Sequence, residues 1–213
     1  MLETKIKGQI TYHPIIFSTE SVRAILDGRK TQTRRLINPQ PFETNLGYKW
    51  KEFSFLCDAD IKYFMPKHCR YGQVGDRLWV KETWRPYSEN EVVIEYKADG
   101  TIINYPKSPS FTFYGCGERW HPSIFMPRSA SRTDLEITDV RVERVQDINL
   151  NDCKAEGIGQ YTFARGCCSE QPPDARWKFI ELWNSLNAKR GYGWERNPYV
   201  WCISFKKLNK IGD

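Results

Sequence analysis

No apolar run in this sequence approaches the roughly 20 residues that a helix needs to cross a bilayer. The first residues, MLETKIKGQITY, lack the continuous apolar region of a secretory signal, so the chain reads as cytoplasmic with no membrane partner. Histidine is scarce: His13, His68 and His121 are the three in the chain, too few to favour a histidine-based or metal-based hydrolysis. No C-x-x-C or H-x-x-x-H spacing occurs, and the adjacent pairs His68-Cys69 and Cys167-Cys168 are poorly placed to converge on one ion, so neither metal nor cofactor is expected. The seven cysteines (Cys57, Cys69, Cys116, Cys153, Cys167, Cys168 and Cys202) are odd in number and irregularly spaced, which points to reduced thiols and away from a disulfide framework. No Gly/Ser linker, charge block, repeat or coiled coil divides the 213 residues, and one elaborated domain over 1–213 is expected. Nothing in the pattern specifies an oligomeric state.

Aromatic residues and cations are plentiful. Eight Trp, eleven Tyr and eleven Phe supply core packing, with a few free to stack on bases. The 32 basic and 26 acidic residues give a net charge of +6, which favours contact with a polyanion without amounting to a nucleic-acid coat. Arg23, Arg29, Lys30, Arg34 and Arg35 crowd one region, whereas Lys206, Lys207 and Lys210 read as a solvated tail.

That crowded region carries the most information. From Pro14 to Ile37 the chain reads PIIFSTESVRAILDGRKTQTRRLI. Ile15, Ile16 and Phe17 suit a buried strand, Ser18 is a helix cap, and Val22, Ile25 and Leu26 recur at helical spacing. Gly28 ends the helix, because glycine accepts the left-handed conformation at low cost. The next seven residues, RKTQTRR, hold four cations and two hydroxyls. Burying unpaired charge is expensive, so this strand must face water, anions or a polar pocket.

Further strands are expected near 77–83, 92–97, 135–145 and 199–206, and helices near 19–27, 150–156 and 174–187. In the last helix Trp177, Ile180, Trp183 and Leu186, with Leu182 beside them, are assigned to the core. Lys189 to Pro198, KRGYGWERNP, reads as a surface loop able to wall a pocket. Ser123 to Arg132, SIFMPRSASR, offers Arg128 and Arg132 with three serines to a phosphate. Within LWVKETW, strand alternation puts Glu82 with Leu78 and Val80, so its carboxylate needs a polar cavity or an arginine partner.

The GRKTQTRR stretch resembles the ASCH family, a branch of the PUA-like barrels. It is most similar to the GRKTxTxR segment of small bacterial members that remove the acetyl group from N(4)-acetylcytidine. YGQVGDRLWVKETW (71–84), EITDVRVERVQDI with the helix ending Ala155-Glu156-Gly157-Ile158, and the aromatic strand 197–206 follow in the family's order. Inserts at about 38–70 and 85–132 have no counterpart in the small enzymes. The fuller pattern resembles a larger phage and prophage subfamily that shares GERWHPSIFMPRSASR-like and KRGYGWERNPYVW-like segments. The resemblance implies an α+β fold, a PUA-like/ASCH β-barrel with flanking helices and long inserts.

It also implies a catalytic set of Lys30, Thr33 and Glu156; Arg29, Arg34, Arg35, Glu82, Arg128 and Arg132 are read from the residues themselves as candidates to bind the substrate. The substrate would be a modified cytosine nucleoside or base whose exocyclic amine carries an acyl group. A threonine hydroxyl needs an adjacent base to attack, and a lysine can be that base only if its pKa is lowered, here by Arg29, Arg34 and Arg35. Glu156 would protonate the departing amine or orient the lysine. Residues 30 and 33 have opposite parity, so on a regular strand their side chains diverge; a turn after Gly28 would remove that obstacle. The alternative is a non-catalytic module that binds RNA or single-stranded DNA through the same groove. A ribonuclease is a third and weaker option.

Overall fold

The computed structural model describes residues 10–86, 92–105, 119–158 and 175–208. In chain order its strands and helices are β1 (Tyr12–Ile16), α1 (Thr19–Leu26), β2 (Gln32–Leu36), β3 (Phe42–Thr44), β4 (Gly47–Trp50), β5 (Phe53–Phe55), α2 (Asp58–Phe64), β6 (Arg77–Lys81), β7 (Trp84–Pro86), β8 (Val92–Tyr96), β9 (Ile102–Tyr105), β10 (Asp134–Arg144), α3 (Leu150–Ala155), α4 (Ala175–Asn187) and β11 (Tyr199–Leu208). This is a mixed α+β chain with several sheets and few helices. Among the described residues no sheet closes into a barrel, and no helix is long and apolar enough to cross a membrane.

The chain divides into two compact units, the first of residues 1–28, 75–137 and 206–213, the second of 29–74 and 138–205. In the first, β1 pairs in parallel with β6, and β6 pairs antiparallel with the start of β10. Ile15, Leu78, Val80 and Leu135 fill the inner face of that ladder, as period-two alternation requires. Ser18 caps α1 by accepting from the Ser21 backbone N–H at 3.2 Å, and Gly28 closes it with φ +74°. A second antiparallel sheet, β7-β8-β9, buries Trp84, Ile94 and Tyr96 against Met126 and Ala130.

In the second unit β11 pairs antiparallel with β2, Cys202 opposite Arg34 and Ile203 opposite Thr33. The stretch from Asn38 to Arg70 contributes the β3-β4-β5 meander and α2, with Ile61 and Met65 fully buried and Trp50, Phe53, Phe64 and His68 in ring contact. The main core of this unit is Val145, Ile148, Cys153, Phe179, Trp183, Trp194 and Val200.

Two expectations about this core are corrected. On α4 the buried stripe is Phe179, Trp183 and Asn187, while Trp177 is 50% and Leu186 63% exposed and Leu182 is exposed as well. Residues 179, 183 and 187 follow a strict i, i+4 line, and Trp183 anchors it by donating from Nε1 to the Tyr192 carbonyl at 2.9 Å. The loop 189–198 contributes to the core as well as the surface: Trp194 is buried against Phe179, and its backbone N–H donates to Asn184 Oδ1 at 2.7 Å. Cys57, Cys69 and Cys202 are free thiols; Cys116, Cys167 and Cys168 lie outside the described residues, as does Lys210.

Candidate functional site

Lys30 stands between the Gly28 turn and the start of β2, where the backbone forms a single antiparallel bridge with Glu156. The Thr31 N–H donates to the Ala155 carbonyl at 2.8 Å, and the Thr31 carbonyl accepts from Phe205 N–H at 2.8 Å. The segment is thereby stitched to the end of α3 on one side and to β11 on the other. Helix α3 starts on an Asn149 cap that accepts from Asp152 N–H at 2.9 Å and stops at Glu156, with Gly157 at φ +80°. Glu156 is therefore a helix-terminal residue whose backbone is fixed by the bridge to Lys30.

That bridge brings two of the three expected catalytic side chains together. Lys30 Nζ donates to Glu156 Oε2 at 2.6 Å and to the Glu156 carbonyl at 2.7 Å, and the two side chains are only 4% and 5% exposed. Arg34 extends the cluster, with Nη1 3.5 Å from Glu156 Oε1 and Nη2 2.9 Å from Glu143 and 3.0 Å from Asp152. Its Nη1 also donates to Gln32 Oε1 at 2.6 Å. Arg141 joins from β10, reaching Glu143 at 3.0 Å and Asp152 at 3.5 Å. Three cations, Lys30, Arg34 and Arg141, thus meet four carboxylates, Asp139, Glu143, Asp152 and Glu156. Buried charge of this density survives only because it is balanced.

Electrostatics distinguishes Lys30 from its neighbours. Burial drives its pKa below the ordinary lysine value of 10.5, the nearby Arg35 and Arg34 charges push the same way, and the Glu156 carboxylate resists. The depression comes first from burial and only second from the arginines; Arg29 is an exposed side chain that reaches the Gly157 carbonyl at 3.5 Å. Next to the cluster, burial pushes the Cys202 thiol up to about 12, so it is a neutral, inert neighbour that accepts from Arg141 at 3.2 Å.

Thr33 is buried, but alternation along β2 sets it with Arg35 on the face opposite Gln32 and Arg34. Lys30, which precedes the strand, places its amine on the Glu156 carboxylate, whose other oxygen lies 3.5 Å from Arg34, and the Arg35 charge bears on that amine as well. The turn after Gly28 exists, and beyond it Lys30 is bridged to Glu156 at the end of α3. Burial also lowers the pKa of Arg35.

The remaining predicted residues lie in the first unit. Glu82 is fully buried on β6's inner side and is held by Arg132, whose Nε and Nη2 each donate at 2.9 Å to a separate carboxylate oxygen. Arg132 Nη1 also reaches Asp99 at 2.9 Å, and its guanidinium lies 4.2 Å from the Tyr96 ring centroid. Burial pushes the Glu82 carboxyl up while the Arg132 fork pulls it down; two donors on two oxygens is the geometry of an ionised carboxylate. Arg128 is paired with Asp134 at 2.7 Å, and Ser131 is buried, donating to the Val80 carbonyl at 2.9 Å. Of the groups offered to a phosphate by 123–132, both guanidiniums are thus already engaged by carboxylates. No cluster of three or more potential metal ligands occurs among the described residues.

Sequence reasoning missed Glu143, Asp152 and Arg141. Their signal was present as alternating charge in 138–144 and as the capping pattern at Asn149–Asp152, but both features are ordinary on a strand and at a helix start.

No family model and no curated protein matches the chain. Among solved structures it is similar to the high-resolution crystal structure of an ASCH domain from Lactobacillus crispatus JV V101, at 13% identity and a TM-score of 0.40, over 92% of this chain and 79% of that one.

Proposed function

We propose that the chain is an amidohydrolase that removes an acyl group from the exocyclic amine of a modified cytosine, with Lys30 and Glu156 as its proton-transfer pair. One observation carries the reading: a lysine whose pKa is lowered by burial lies 2.6 Å from a buried carboxylate, at the two positions that the sequence resemblance marks as catalytic. Such a pair exchanges a proton at small cost, because burial weakens the ammonium's hold on it.

The reaction adds water across the acyl C–N bond. Glu156 accepts a proton as the oxygen attacks the acyl carbon, the tetrahedral intermediate collapses, and Lys30 delivers a proton to the cytosine N4 as it leaves. The carboxylic acid and the free amine are the products, and the proton left on Glu156 restores Lys30. Because the Lys30 amine is bonded to Glu156, the reaction is written with water as the attacking group; an acyl-threonine on Thr33 is the other route. Arg34, held by three carboxylates, serves to position Glu156 and does not reach out to a phosphate.

The test is release of cytidine from N(4)-acetylcytidine by purified protein. Lys30→Ala and Glu156→Gln variants that remain folded lose turnover, whereas Thr33→Val retains it; loss in Thr33→Val restores the threonine route. A wild-type protein without turnover on this nucleoside or on the acetylated base overturns the proposal.

A further inference from the structure

Beyond Glu156 the buried charges close into a ring. Arg34 on β2, Arg141 and Glu143 on β10 and Asp152 in the first turn of α3 all belong to one compact unit. Each of the two carboxylates divides its oxygens between the two guanidiniums. Glu143 gives Oε2 to Arg34 Nη2 at 2.9 Å and Oε1 to Arg141 Nη1 at 3.0 Å. Asp152 gives Oδ2 to Arg34 Nη2 at 3.0 Å and Oδ1 to Arg141 Nη2 at 3.5 Å. Exposure rises across the ring from 1% at Arg34 to 41% at Arg141. Arg141 and Glu143 also line an open cleft of about 380 Å³ with Lys62, Val140, Val142 and Asp147, so the ring has a buried end and a solvent-facing end.

The ring sets the direction of the other arm of Arg34. With Nη2 committed to carboxylates from two different elements, the planar guanidinium has its orientation fixed, and Nη1 faces Gln32 Oε1 at 2.6 Å and Glu156 Oε1 at 3.5 Å. Burial works to raise the Asp152 carboxyl, yet Arg34, the Asn149 N–H and Arg141 hold it below its ordinary range, so this carboxylate stays charged between its two arginines. A partly exposed arginine adds little to stability through its ion pairs. What Arg141 does is share Glu143 and Asp152, so that neither turns wholly onto Arg34.

We infer that Arg141 is a positioning residue for the proposed hydrolysis: acting through Glu143, Asp152 and Arg34, it fixes the Glu156 carboxylate in the orientation that accepts the proton of the attacking water. This role rests on the amidohydrolase reading of Lys30 and Glu156, and it gives that buried pair a solvent-facing control point. When the Arg141 fork is lost, both ring carboxylates turn onto Arg34 and draw its Nη1 away from Glu156. Glu156 keeps its contact with Lys30, but its carboxylate is free to turn about that contact, and Lys30 faces a carboxylate with less competing positive charge on it.

The experiment measures turnover of N(4)-acetylcytidine across a pH series by the full chain, with rates referred to folded protein, for the wild type, Arg141→Lys, Arg141→Met, Glu143→Gln and Lys62→Ala. Expected is a fall of about tenfold in kcat at unchanged KM in both Arg141 variants. Arg141→Lys does not rescue, because it keeps the charge but one ammonium cannot reproduce a fork that serves two carboxylates. Glu143→Gln, which breaks the ring at another member, reproduces the fall, and Lys62→Ala, which changes the charge of the same cleft outside the ring, keeps the wild-type kcat. In parallel the titration midpoint of Lys30 is read by NMR at its Cε, assigned with Lys30→Met. It rises by about 0.5 pH unit in Arg141→Lys, and the alkaline limb of kcat moves with it. Wild-type kcat in Arg141→Lys, an unmoved Lys30 midpoint, or an equal loss in Lys62→Ala overturns the inference. A wild type without turnover overturns the amidohydrolase reading instead, and the Lys30 midpoint in Arg141→Lys then decides by itself whether Arg141 acts on the pair.

Discussion

Removing either member of the Lys30–Glu156 pair leaves a buried charge without its main partner, and the structure sets the size of the effect. In Lys30→Met, the side-chain ion pair left to Glu156 among the described residues is the 3.5 Å contact to Arg34. In Glu156→Gln, Lys30 retains the carbonyl at 2.7 Å but loses the carboxylate at 2.6 Å. With both side chains almost fully desolvated, each single change is expected to cost about 3–5 kcal/mol. The double variant Lys30→Met/Glu156→Leu removes both charges together and costs less than the sum by about 2–3 kcal/mol. Urea unfolding at neutral pH measures all four corners of the cycle, with constant slope as the check that the transition remains two-state. Single changes costing under about 1 kcal/mol and adding within about 0.5 kcal/mol would describe a solvated pair and refute the reasoning. The pH dependence adds a second readout with a defined sign. Because the folded pKa of Lys30 lies below its unfolded value of 10.5, the unfolded chain binds the extra proton between the two. Stability therefore rises with pH in that window, and the rise attributable to Lys30 is absent in Lys30→Met.

Three further outcomes follow from other parts of the molecule. Arg132→Ala strands the fully buried Glu82 and is expected to destabilise by about 3–5 kcal/mol in urea unfolding, and Arg132→Lys recovers little because one ammonium cannot reproduce the two-oxygen fork. Trp194→Ala opens a cavity beside Phe179 and costs about 3–5 kcal/mol by the same measurement; a cost near zero would mean that the 189–198 loop is not a core element. Alkylation at pH 8, mapped by mass spectrometry, labels the exposed Cys57 in the native protein and leaves Cys202 unmodified until unfolding, since burial pushes that thiol up to about 12. Equal labelling of the two would contradict the burial assigned to Cys202.

Individual elements were legible in the chain because their signals are local. Apolar spacing with the Ser18 cap and the Gly28 stop produced α1 within a residue at its end, and β2, β6, β8, β10, β11 and α3 stand within about two residues of where the sequence reading put them. The short β3-β4-β5 meander was not legible, since three- and four-residue strands carry too few alternations to rise above loop composition. On α4 the spacing could not choose between neighbouring stripes: tryptophans occur at 177 and 183, and only the surface packed against them decides which is inside.

For the site, the sequence alone dictated that the four cations within 29–35 face water, anions or a polar pocket and that Glu82 needs a polar cavity or an arginine, because the cost of unpaired buried charge does not depend on the fold. Which partners answer was decided by tertiary structure alone. Arg34 is met by carboxylates more than 100 residues away in the chain, Glu82 by an arginine 50 residues on, and Lys30 by Glu156 across a single backbone bridge. Thr33 shows the same division from the other side. Its strand was foreseen, but the partner of the Lys30 amine was set by the backbone bridge to Glu156 at the end of α3. Local propensity and charge balance are properties of the sequence; pairing across long loops is a property of the folded chain, because only there do distant groups share one desolvated volume.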